Sequence, residues 1–199
     1  GRLKAMTGTA APAEFELDLA RGGSWKIGSR PALMGILNCT PDSFSDGGRY
    51  ADAGAAVSEA LQMFEEGADI VDVGGESTRP GAEPVSAEEQ MGRVLPVIRG
   101  IRESSDAILS IDTRDPGVGR AALEAGADVI NDVSACEDPG WIPVLNEYQC
   151  PVILMHMRGT PSDMQERTGY PDGVMNEICS FLQGRMEELE AGGISRGRI

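Results

Sequence analysis

The chain has 199 residues, 41% hydrophobic and 25% charged, which fits one globular domain, or two at a stretch, and excludes disordered and fibrous classes. Lys and Arg number 17 against 32 Asp and Glu, and the net charge of −15 speaks against non-specific nucleic-acid binding and against an anionic membrane surface. No stretch approaches the ~18 apolar residues of a membrane span and no basic-then-apolar leader opens the chain, so a cytoplasmic protein is expected.

Residues 1–13 read as a flexible tail, with Gly1 a processing remnant and Met6 a candidate true start. Phe15 to Leu19 and Trp25 to Ile27, either side of Arg21-Gly-Gly-Ser24, read as a β-hairpin that plugs one end of the domain. Five apolar runs follow: Leu33 to Leu37, Ile70 to Val73, Ala107 to Ile111, Val129-Ile130 and Val152 to Met155. They are continuous rather than alternating, as in parallel strands covered on both faces.

Helical patterns separate the runs. Leu61, Met63 and Phe64 belong to a helix ending at Glu66-Gly67, where glycine can take the left-handed cap. Ser86-Ala-Glu-Glu89 has the spacing of a capping box ahead of Met91, Val94, Leu95, Ile98 and Ile101. Asp115-Pro116 sets an N-cap before a proline at the first helical position. Ile178, Leu182, Met186 and Leu189 form a last apolar stripe. Gly67-Ala-Asp-Ile-Val-Asp72 is echoed by Gly126-Ala-Asp-Val-Ile-Asn131, a helix cap leading into a strand. The pattern is α/β with a parallel sheet; a barrel and a doubly wound sheet both fit it.

Every run ends in polar residues: Asn38; Glu76 to Arg79; Asp112; Asn131 and Asp132; His156 and Arg158. In parallel α/β folds ligands bind at the carboxyl ends of the strands, so these residues define a candidate pocket. Asp112 would sit in a partly dry mouth, where a ligand edge with adjacent N–H groups would partner it. Asn131 offers a donor and an acceptor to the same kind of heterocycle. Gly74 to Gly81 presents a hydroxyl and a guanidinium between glycines, a way to hold phosphate that matches no nucleotide motif. Asn38 to Gly48 is rich in oxygen ligands and suits Mg²⁺ beside substrate phosphates. His156 is the only histidine and has no nucleophile pattern beside it, so it reads as structural. Cys39, Cys136, Cys150 and Cys179 fit no zinc spacing and read as reduced thiols.

Five stretches together resemble the dihydropteroate synthases, folate-pathway enzymes inhibited by sulfonamides. They are Met34 to Gly48, Asp72 to Ala82, Ser110 to Thr113, Ile130 to Val133, and Leu154 to Met157 with Gly159 to Pro161. The resemblance implies a (β/α)₈ barrel over residues 14–199. It implies condensation of 6-hydroxymethyl-7,8-dihydropterin pyrophosphate with p-aminobenzoate, giving 7,8-dihydropteroate and pyrophosphate. It places Asn38 by Mg²⁺ and pyrophosphate, and Asp112 and Asn131 on the pterin. Thr78 and Arg79 close over the pyrophosphate and aryl sites, with Phe44 and Pro80 around the aryl ring. Small-molecule partners and a homodimer of the full-length protein are further implications. A folate-dependent methyl transferase of the same superfamily and a non-catalytic pterin-binding paralogue are the alternatives. Family motifs later in the chain, Asp-Pro-Gly-x-Gly-Phe, Ser-Arg-Lys and Arg-x-His, are absent. About five βα units are visible where eight plus the hairpin need ~280 residues. An incomplete barrel, inactive by itself, is therefore expected.

Overall fold

The computed structural model describes residues 14–40, 49–76, 85–159, 169–171 and 173–199. Phe44, Thr78, Arg79 and Pro80 lie outside the described residues.

The chain opens with an antiparallel hairpin, β1 (Phe15–Asp18) and β2 (Ser24–Ile27), paired from Phe15↔Ile27 to Asp18↔Ser24. Its turn is held by Leu19 N–H donating to the Gly23 carbonyl and Gly22 N–H to that of Leu19. Five parallel strands follow: β3 (Met34–Asn38), β4 (Ile70–Gly74), β5 (Ile108–Asp112), β6 (Val129–Asp132) and β7 (Val152–Leu154). Between and after them come α1 (Arg49–Glu65), α2 (Ala87–Arg102), α3 (Pro116–Ala125), α4 (Trp141–Tyr148) and α5 (Val174–Ala191), then a 3₁₀ turn at Arg196–Arg198.

Strand order is strictly sequential, β3-β4-β5-β6-β7, and consecutive helices pack on one another, α1 on α2, α2 on α3, α3 on α4. A doubly wound sheet reverses its strand order and divides its helices between two faces. The sequential order decides for barrel connectivity, an alternative that periodicity had left open. The main core lies between the sheet and these helices: Leu37, Val71, Val73, Leu109, Ile111 and Ile130 from the strands, Val94, Ile98, Ala122, Trp141 and Leu145 from the helices. On the opposite face Met34, Ile36 and Met155 are exposed, Ile36 by 65%.

Local chemistry sets the helix ends. The Ser86 hydroxyl accepts from Glu89 N–H at 3.2 Å. The return arm of the capping box does not form, because the Glu89 carboxylate pairs with Arg93 one turn on. Asp115 caps α3 twice, accepting from Gly117 N–H at 2.7 Å and Val118 N–H at 3.0 Å. Gly67 and Gly126 have φ of 109° and 119°, left-handed values that favour glycine. The residue after each donates back into the helix, Ala68 N–H to the Met63 carbonyl and Ala127 N–H to that of Ala122.

The sequence echo extends to the next residue in each copy. Asp69 accepts from Leu33 N–H and pairs with Arg30; Asp128 accepts from Leu109 N–H and pairs with Arg21 and Arg102. Each carboxylate thus ties the entry of its strand to the entry of the strand before it. The hairpin docks at this end: Ala20 N–H donates to the Asp128 carbonyl and Arg21 Nε to its carboxylate at 2.8 Å.

Candidate functional site

The parallel register carries one row across the exit ends of four strands. Asn38 pairs with Gly74, Gly74 with Asp112, and Asp112 with Asn131. Paired residues in parallel strands project to the same face, so three polar side chains and one glycine share a ledge. Asn38 is exposed, Asp112 and Asn131 half-buried, and Gly74 buried. The sequence placed Asn38, Asp112 and Asn131 at one mouth, and they are on one row of one face.

Two residues back, on the same face, a second row holds Asp72 and Ser110. Both are buried, at 4% and 0% exposure. The Ser110 hydroxyl donates to Asp72 Oδ1 at 2.5 Å and Asn131 Nδ2 donates to Asp72 Oδ2 at 2.8 Å. Asp72 therefore fixes the Asn131 amide, turning its nitrogen inward and leaving the carbonyl oxygen for another partner. Burial pushes the Asp72 carboxyl upward, and these two hydrogen bonds oppose the shift.

Asp112 is different. Its carboxylate accepts no hydrogen bond and joins no ion pair among the described residues. Burial, reinforced by the charges of Asp72, Asp132 and Glu76 and only partly opposed by Arg114, raises its pKa to about 7. A half-buried carboxylate in this state gains from a ligand that brings two adjacent N–H donors.

Other residues near the ledge are held by structure. Asp132, adjacent to Asn131, accepts from Ser134 N–H at 2.7 Å and Cys136 N–H at 3.0 Å. It shapes the turn into α4, where Ala135 and Cys136 both have φ of 56°, and Arg185 of α5 donates to both their carbonyls. The expectation that Asp132 joins the pocket gives way to this turn role, because neighbouring strand residues alternate faces. Glu76 pairs with Arg114 at 3.1 Å and accepts from Val85 N–H. The His156 ring stands edge-on to Phe181 at 5.1 Å, a packing role as its lone position suggested. Arg158 lies over the Tyr170 ring at 4.8 Å. All four cysteines are free; Cys39, Cys136 and Cys150 are buried, and burial pushes the Cys39 thiol up to about 12.

Asp72 is the residue that sequence reading passed over as part of an apolar run. The signal was present: one acidic residue among Ile70, Val71 and Val73, in phase with Gly74 and thus on the ledge face.

Comparison with known proteins places the chain among relatives. The family model described as pterin binding enzyme matches residues 34–199. Dihydropteroate synthase of Synechocystis sp. is 45% identical over 168 residues, 84% of this chain and 58% of that protein. Dihydropteroate synthase of Xanthomonas albilineans, solved with 4-aminobenzoic acid, superposes with a TM-score of 0.83 at 44% identity, over 94% of this chain and 65% of that one. The same enzyme in complex with 7,8-dihydropteroate gives 0.77 at 41% identity, over 91% and 62%. The chain spans about three fifths of the length of the curated relatives it matches. The likeness identifies the five parallel strands as part of a (β/α)₈ barrel.

Proposed function

The chain belongs to the pterin-binding enzyme family, and on that premise we propose that it takes part in joining 6-hydroxymethyl-7,8-dihydropterin pyrophosphate to p-aminobenzoate, in the cytoplasm, as the synthases it resembles are named for. In this reading residues 14–199 form the pterin-binding domain, and the full-length protein pairs as a homodimer. The reaction forms a bond from the aryl amine nitrogen to the pterin methylene and breaks the methylene–oxygen bond. Pyrophosphate leaves, and the amine proton passes to solvent. An aryl amine is already a neutral nucleophile, so no strong general base is required. This agrees with a ledge that holds carboxylates and amides and no histidine.

The observation that carries the proposal is the Asp112 carboxylate, without a hydrogen-bond or ion-pair partner among the described residues, beside an Asn131 amide already oriented by Asp72. A pterin edge carries adjacent N–H groups and a ring acceptor, complementary to this pair. Ligands in the neighbour structures, 4-aminobenzoic acid and 7,8-dihydropteroate, are the substrate and product such a reading needs. Thr78, Arg79, Phe44 and Pro80 keep the roles at the pyrophosphate and the aryl ring that the resemblance gives them.

Mg²⁺ suits Asn38. Among the described residues no cluster of three His, Cys, Asp or Glu side chains could cage a metal. The exposed Asn38 carboxamide oxygen fits instead a hard cation carried mainly by phosphates and water. When bound, Mg²⁺ would neutralise the charge that develops on departing pyrophosphate. Calorimetric titration of the full-length protein with the pterin pyrophosphate in Mg²⁺ buffer tests the reading. Saturable binding that weakens on Asp112→Asn supports it; absence of binding to the unsubstituted protein rejects it.

A further inference from the structure

Among the described residues, nothing requires a glycine at position 74. It lacks a left-handed φ. A Cβ built on it would meet Asp112 Cβ and Oδ2 at 3.6 Å and Asn38 Oδ1 at 3.9 Å, ordinary van der Waals separations. The neighbouring Gly75 contrasts with it. There a Cβ would lie 2.9 Å from Val94 Cγ1 and 3.1 Å from the Gln90 carbonyl oxygen, so α2 would have to shift to admit a side chain. Strand propensity also favours almost any residue over glycine at a position like 74. What distinguishes position 74 is the ledge: it lies between Asn38 and Asp112 in register, and side chains of both reach within 4 Å of the point its own side chain would occupy.

Resting on the pterin reading above, we propose that Gly74 is a positioning residue whose missing side chain makes room for the reacting methylene and its bridging oxygen. The row sets the order. Asp112 and Asn131 take the heterocycle at one end, and Asn38 faces the phosphates at the other. Neighbouring strands lie about 4.8 Å apart, so Asn38 and Asp112 are about 10 Å apart at the backbone. The link between ring and phosphate must cross the strand between them. A methyl group at 74 would stand under that link without disturbing either flank. Asp72, further back on the same face, continues to hold Asn131, so the heterocycle keeps its contacts.

The test compares two ligands on the full-length protein and on its Gly74→Ala variant: the pterin pyrophosphate, and 7,8-dihydropterin with no substituent at position 6. Titration calorimetry in Mg²⁺ buffer reads both affinities, and thermal unfolding reads the fold. The expected result is a Tm equal to or above that of the unsubstituted protein and retained dihydropterin affinity. Affinity for the pyrophosphate ester should fall about tenfold or more, the effect of one ill-placed carbon in a fitted site. Gly75→Ala, by contrast, should lower Tm. Equal affinities of the two proteins for the ester overturn the proposal. So does a parallel loss for both ligands, which would place the methyl under the heterocycle, and so does failure of Gly74→Ala to fold, which would make the glycine a fold requirement. Failure of the unsubstituted full-length protein to bind either ligand rejects the pterin reading itself.

Discussion

At the entry end of β6, Asp128 is fully buried between Arg21 and Arg102 and accepts Leu109 N–H at 3.0 Å. At the exit end of β5, one strand away, Asp112 is half-buried with no ion pair and no donor among the described residues. The same side chain thus serves two ends of one sheet in opposite ways. At the entry end a carboxylate is satisfied by the protein and ties the hairpin, α2 and two strands together. At the exit end it is left short of partners and its own burial works against its charge. A barrel can tolerate the second because the first, with Asp69 and Arg30 beside β3, secures the strands from below.

The comparison is broken most directly by matched Asp→Asn changes. Asp128→Asn should destabilise the chain by about 3–5 kcal/mol, since it leaves Arg102 largely buried without its counter-charge. Urea denaturation at pH 7 reads this, and a loss under 1 kcal/mol would mean that the entry cluster is not what holds the sheet. Asp112→Asn should weaken binding of the pterin pyrophosphate by about 2–4 kcal/mol, the loss of a charge-assisted pair, while leaving the fold intact.

The same substitution sharpens the contrast through pH. An unfolded aspartate titrates near ~4, whereas Asp112 in the folded chain titrates at about 7. Between those values the folded chain holds the extra proton, so stability falls as pH rises through the window and stays lower above it. Partial exposure reduces the effect to about 1–3 kcal/mol. Denaturation of the chain and of Asp112→Asn at pH 5 and pH 8 should therefore show the mutant gaining on the parent at pH 8; a pH-independent difference would remove Asp112 from the balance. Smallest of all, Arg30→Ala should leave the denaturation midpoint close to that of the parent chain, because the Arg30–Asp69 pair is largely exposed on the arginine side. A large loss there would make the outer entry pair equivalent to Asp128.

Much of this contrast was legible before any coordinates. Asp112 and Asn131 stood out because each closes an apolar run, and Asn38 because it opens an oxygen-rich segment. Asp128 was visible only as part of a repeated Gly-Ala-Asp cap, since its partners Arg21 and Arg102 lie 107 and 26 residues away. Asp72 was hidden for a related reason. Its neighbours in sequence are apolar, and its hydrogen-bond partners come from β5 and β6.

What the sequence by itself determined is local in origin: the five runs, the glycine and aspartate caps, and which residues fall at strand exits, because apolar periodicity and capping depend on neighbours a few positions apart. Tertiary structure alone decided the sequential strand order, the side on which each exit residue projects and the separation of Asp132 from Asn131. It also decided that a Cβ at position 74, between Asn38 and Asp112, would meet only ordinary contacts among the described residues. Those depend on register between strands 20 to 40 residues apart, and a shift of one residue in any pairing would turn every side chain of that strand to the other face.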